Sequence, residues 1–139
     1  MLVLTVAVHR EMIAACLDAW PFEACGLIAG PPHEVDGDDT PIAVQYATEN
    51  AARSSRVYSV APQDLLRADR QAEQAGMALL GVWHSHTHTD AWPSPTDVDQ
   101  APDPAWHYVL VSLRDTHPVM RSYRIRDARI EEEPVVLQW

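Results

Sequence analysis

The stretch WHSHTHTDAWPSPTD, residues 83–97, places three histidines on alternate positions and follows them with Ser94 and Asp97. Side chains at i and i+2 of a β-strand share one face, so alternate imidazoles can aim at a single point. His84 and His86 close a nearly apolar run, MALLGVWHSH, that reads as a central strand, and this pair therefore converges. His88 follows among Thr87, Thr89, Asp90 and Pro93, where the backbone turns irregular and its direction is open. SPTD has the pattern of a helix start, with Ser94 as N-cap, Pro95 in the first position and Asp97 in the third. On its own, Asp97 needs no role beyond completing a capping box. Joined to the histidines it gives two neutral imidazoles and one carboxylate, the donor set of a catalytic zinc site whose fourth position stays open to water.

A zinc-bound water loses its proton near neutral pH and then needs a base to receive it. The other carboxylate in an apolar setting is Glu23, in WPFEACGLIAG, between a helix end and a buried strand. A charge there is costly without a partner or a task, and burial shifts its pKa towards the range of a general base. Cys25 lies two residues on and reads as a packed thiol, as does Cys16; two cysteines make neither a disulfide framework nor a CxxC pair.

These groups need elements to hold them. Residues 2–8 alternate as a strand, and HREMIAACLDAW carries Met12, Ile13, Cys16, Leu17 and Trp20 at helical spacing before Pro21. ACGLIAG reads as a buried strand, PPHEVDGDDTP (31–41) as a hairpin connection and IAVQYATEN as the return strand. A loop at AARSS and a short strand at VYSV follow. APQDLLRADRQAEQAG is a helix opened by Pro62 and stopped by Gly76, with Leu65, Leu66, Ala68, Ala72 and Ala75 towards the core. After the histidine strand and a short helix from Ser94, WHYVLVSL, MRSYRIR and ARIEEEPVVL read as closing strands or strand pairs. The expected architecture is α/β (α+β), a mixed central sheet flanked by two main helices plus a short one, over a single domain of residues 1–139.

Composition narrows the function. The 139 residues are 47% hydrophobic and 22% charged, as in an ordinary globular chain. A formal charge of −10 argues against a nucleic-acid partner, which wants a basic stripe. No run is long enough to span a bilayer, and the apolar start reads as a strand rather than a signal peptide, so a cytoplasmic protein is expected.

HSHTHTDAWPSPTD resembles the His-x-His, seven residues, Ser-x-x-Asp signature of the JAMM (MPN-plus) metalloproteases, and PFEACGLIAG resembles the segment that carries their upstream glutamate. Counting back from Ser94, the resemblance selects His84 and His86 and leaves His88 outside. EACGLIAGP, HYVLVSLRD and RSYRI extend the likeness along the chain, towards the actinobacterial branch that trims a cysteine or another residue from a ubiquitin-like sulfur carrier. It implies the three-layer sandwich shared with cytidine deaminases. It also implies one zinc ion on His84, His86 and Asp97, Glu23 as the base, and Ser94 as donor to the developing oxyanion. The implied partner is a β-grasp carrier ending in Gly-Gly, with removal of modifiers from lysines, or a scaffold without catalysis, as the alternatives.

Two other readings fit fewer residues. A non-haem iron oxygenase also uses two histidines and a carboxylate, but cupins that carry HxH are all-β. A base deaminase would need H-x-E and P-C-x-x-C, which are absent. Trp83 is expected on the strand face opposite the histidines, Trp92 beside the substrate channel, and Arg53 and Arg56 near a carboxylate or simply in solvent.

Overall fold

The computed structural model describes residues 1–32, 39–101 and 103–139. In chain order the elements are β1 (Leu2–Thr5), α1 (Val6–Ala19), β2 (Cys25–Gly30), β3 (Thr40–Ile42), β4 (Val44–Thr48) and α2 (Pro62–Gln74). There follow β5 (Ala78–His86), α3 (Pro95–Asp99), β6 (His107–Ser112), β7 (Val119–Arg126), β8 (Arg129–Glu133) and β9 (Val135–Gln138). Six strands form a mixed sheet in the order β4-β2-β5-β6-β7-β8, in which only β5 and β6 run parallel. A second, all-parallel sheet has the order β3-β1-β9.

The central strands β2, β5 and β6 of the large sheet are buried on both faces. Val8, Met12 and Cys16 of α1 pack with Ile28, Trp83, Val109 and Val111 on one side. Ala68 of α2 packs with Leu27, Val82, Tyr108, Leu110 and Tyr123 on the other. Successive strand residues point to opposite faces, so Trp83 belongs to the α1 side while His84 and His86 face the α2 side. The α/β class, the central position of β5 and the two flanking helices match expectation.

Three local expectations fail for identifiable reasons. The first strand stops at Thr5, because the Thr5 hydroxyl accepts the Val8 N–H at 3.1 Å and caps a helix beginning at Val6. VYSV forms no strand; Val60 makes an isolated bridge with Asn50, and Tyr58 turns inward. On α2, Ala68 and Ala72 are buried, but Leu65, Leu66 and Ala75 are exposed, since the helix meets the sheet along a narrow stripe of small side chains. The closing segment is a strand pair, as its pattern allows, divided at Pro134, with β8 joining the large sheet and β9 pairing with β1. Most of the expected hairpin connection, His33–Asp38, lies outside the described residues, and Thr40–Ile42 beyond it joins β1.

Gly26 locks the two central strands together. It lies opposite Trp83, and a Cβ there would come within 2.5 Å of the indole. The far edge is tied by Glu133, whose carboxylate accepts from the Ser122 hydroxyl at 2.8 Å and contacts His107 Nδ1. Burial by itself would raise the Glu133 pKa, but the His107 and Ser122 contacts outweigh it and hold the carboxyl below its ordinary range. A depressed folded-state pKa adds stability above the unfolded value of about 4.3, and that stability is lost as pH falls through the folded value. We expect Glu133→Gln to cost about 1–3 kcal/mol at neutral pH, with the gap to wild type narrowing in urea melts below about pH 4.

Candidate functional site

The β2–β5 register assembles the site. Cys25 pairs with His84, and the Ala24 carbonyl accepts the Ser85 N–H at 3.0 Å while the Ala24 N–H donates to the Ser85 hydroxyl at 2.8 Å. Carrying that register one step further sets Glu23 across from His86. Residues directly opposite in an antiparallel pair share a face, so Glu23, Cys25, His84 and His86 all face the α2 side. Donor atoms of Glu23, His84 and His86 lie within 4.8 Å of one another, and all three side chains are buried.

Asp97 arrives from the crossover between the parallel strands. Pro95 opens α3, the Ser94 hydroxyl accepts the Asp97 N–H at 3.1 Å, and Asp97 Oδ2 accepts the Ser94 N–H at 2.9 Å. The capping box thereby fixes the Asp97 rotamer. Its Oδ1 lies 3.2 Å from His84 Nε2 and its Oδ2 lies 3.0 Å from His86 Nε2. The Ser94 hydroxyl, used only as an acceptor among the described residues, keeps its hydrogen to donate elsewhere. All five residues singled out in the sequence, Glu23, His84, His86, Ser94 and Asp97, come together.

The tautomers show what the cluster can hold. His86 Nδ1 lies 2.7 Å from the Asp90 carbonyl, which can only accept, so that nitrogen carries the hydrogen. Nε2 then faces the Asp97 carboxylate, a contact that attracts only with positive charge in it, either a ring proton or a metal ion. His84 Nε2 meets Asp97 out of line for a hydrogen bond and is buried without a partner, as is Glu23 Oε1. Orphaned buried nitrogen and oxygen atoms converging on one point fit a divalent cation.

Electrostatics follow from burial. Burial pushes Glu23 up to about 7, with His86 pulling it down and Asp97 adding to the rise. It also favours neutral His84 over the charged form, against the pull of Asp97. For Asp97 burial acts upward, but the two imidazoles overcome it and hold the carboxylate well below its usual range. Cys25 is raised by burial, its Sγ 3.3 Å from the Thr48 hydroxyl, as befits a packed thiol.

The remaining candidates separate. His88 turns away, its ring 5.2 Å from that of Trp20 and its Nδ1 2.7 Å from the Thr87 hydroxyl. Trp92 is exposed over Tyr123 and lines a hollow with Arg114 and Arg121, apart from Glu23. Arg53 lines the cavity beside Glu23, and Arg56 does not.

Two residues went unnoticed in the sequence. Tyr58 stacks on the His84 ring at 4.1 Å and shields it from water. Asn50 ties the loop at 50–59 to the base: its Nδ2 donates to the carbonyls of Glu23 (3.1 Å), Val57 (2.9 Å) and Ser54 (3.4 Å), and its Oδ1 accepts from Ala52 and Ser59, both at 3.0 Å. Glu23 N–H in turn donates to the Ser54 carbonyl at 2.8 Å. No spacing rule flags either residue; only an asparagine in a turn-rich segment was there to see. Asn50→Ala should cost about 1–3 kcal/mol and speed amide exchange at Ala52 and Ser59, because it strips partners from several backbone groups at once.

The site and fold have relatives. Residues 5–126 match the sequence profile of prokaryotic homologs of the JAB domain. The chain is 42% identical over 135 residues to the CysO-cysteine peptidase of Mycobacterium tuberculosis, covering 96% of this chain and 89% of that one. It is 32% identical over 93 residues to the desampylase of Haloferax volcanii, 66% of this chain and 63% of that one. A solution structure of a Desulfitobacterium hafniense protein superposes with a TM-score of 0.90 at 35% identity, covering 99% of this chain and 93% of that chain. With the match spanning the strands and helix that carry Glu23, His84, His86, Ser94 and Asp97, this chain belongs to the prokaryotic JAB-domain family.

Proposed function

We propose that the protein is a cytoplasmic zinc-dependent peptidase that hydrolyses the amide bond after the C-terminal Gly-Gly of a ubiquitin-like sulfur carrier and releases cysteine or another terminal residue. The observation that carries this reading is the meeting of Glu23, with an unpaired buried oxygen, and the His84–Asp97–His86 cluster on one sheet face. The name of the mycobacterial relative supports the carrier and the leaving residue.

His84, His86 and Asp97 would hold the zinc ion, which when bound supplies Lewis acidity that activates water and polarises a carbonyl. Glu23, set across from His86 and fixed at its backbone by Asn50 and Ser54, takes a proton from the attacking water and returns it to the departing amine. The Ser94 hydroxyl donates to the carbonyl oxygen as charge builds on it. Tyr58 keeps bulk water off His84, so these polar contacts act in a medium of low dielectric. A tail of two glycines suits the approach, since it brings backbone hydrogen-bonding groups and no side-chain bulk.

The test is mass spectrometry of a purified carrier bearing one extra C-terminal residue, incubated with zinc-loaded protein. Loss of that residue's mass is expected, whereas preference for a lysine-linked conjugate would favour removal of modifiers from lysines instead. Glu23→Gln should retain zinc by metal analysis and lose nearly all turnover. Ser94→Ala should slow kcat by about 10²–10³. Asp97→Ala should lose both zinc and activity; full zinc content in that variant would overturn the ligand assignment.

A further inference from the structure

A cavity of ≈ 560 Å³ opens beside Glu23, between the C-terminal turn of α1 and the β2–β4 edge. That volume suits a small molecule rather than a folded partner. Ala15, Ala19, Ala24 and Trp83, all on the α1 side of the sheet, wall it together with Phe22 and Ala47, and it meets Glu23, Cys25 and Thr48 at the ends of β2 and β4. Its charged lining is unbalanced: Asp18 and Glu49 share the wall with Glu23, and Arg53 is the sole cation among the described lining residues. In a chain of net charge −10, an anion would be repelled from such a place unless one group drew it in. Arg53 makes no ion pair with any described carboxylate.

The backbone at Arg53 is equally distinctive. Its φ is +46°, a left-handed conformation that arginine adopts at a cost and glycine does not. The turn is imposed from outside, with the Arg53 N–H bonded to the Asn50 carbonyl at 3.0 Å and the Asn50 side chain fixing the residues around it. A long cationic side chain kept in a strained turn, lining the same cavity as the proposed base, has the mark of a group placed for a ligand.

We propose that this cavity receives the residue released from the carrier, with Arg53 gripping its free α-carboxylate, so that the protein removes single terminal residues and discriminates against internal and lysine-linked bonds. The inference rests on the function proposed above. A guanidinium matches a carboxylate in a paired hydrogen-bond geometry that a carboxamide cannot reproduce. Asp18 and Glu49 would oppose a second negative charge, so an aspartate or glutamate in the leaving position should be handled poorly.

The experiment compares carriers extended by one cysteine whose C-terminus is either the free acid or the carboxamide. Wild type should favour the acid by roughly tenfold to a hundredfold in kcat/KM, the range of charge-assisted hydrogen bonds. Arg53→Gln should bring that ratio near one by slowing the acid alone, while Arg56→Gln should preserve it. Arg53→Gly, which relieves the turn, should lose the ratio without a lower melting temperature, and so separates recognition from folding. A second readout needs no turnover: N-acetylcysteine, and not its amide, should shift the amide resonances of Cys25, Thr48 and Asn50 in wild type, and should not in Arg53→Gln. If the acid binds selectively but no carrier is cleaved, the carrier assignment falls and the carboxylate site stands. If carriers are cleaved with equal rates for acid and amide, the carboxylate site falls and the peptidase stands.

Discussion

Antiparallel pairing between β2 and β5 is the constraint on which the site depends. Cys25 opposite His84 brings Glu23 level with His86, although the two lie over sixty positions apart in the chain. A slip of one residue would turn Glu23 to the α1 face and leave the imidazoles without it. The pairing is guarded from the opposite face, where the Trp83 indole fills the space that a side chain at position 26 would claim. The chemistry on one surface of the sheet is thus held in place by packing on the other.

Asp97 joins two roles that look like rivals in the sequence. As the third residue of a short helix it completes the capping box with Ser94, and the same carboxylate touches both imidazoles. A five-residue helix has little intrinsic stability, so the cap and the crossover between β5 and β6 must hold its orientation. The helix-start pattern therefore aims the acid as well as beginning the turn.

The parts of the molecule legible in the sequence were those whose signals are local. Alternation and apolar content revealed β5, and the four-residue pattern SPTD revealed α3. Where two periods competed, the strand reading went too far. Val8, Met12 and Cys16 already form a stripe of spacing four that carries α1 back past His9, yet the apolar start masked it. On α2, apolar character points Leu65 and Leu66 inward as strongly as Ala68 and Ala72, but only the alanines permit the close approach to the sheet that the fold uses. Tyr58 and Asn50 escaped notice because their importance lies in what the fold brings to them, a histidine ring and a glutamate backbone from distant strands.

The manner in which Asn50 secures its loop has an evolutionary consequence. Every partner of its side chain is a backbone group, so this clamp asks nothing of the side chains at positions 51, 52, 55 and 56. Mutational drift can change those residues freely while the loop keeps its course. A lineage can thereby exchange one clientele for another by rewriting a few outward-facing positions, and inherit its cutting machinery untouched.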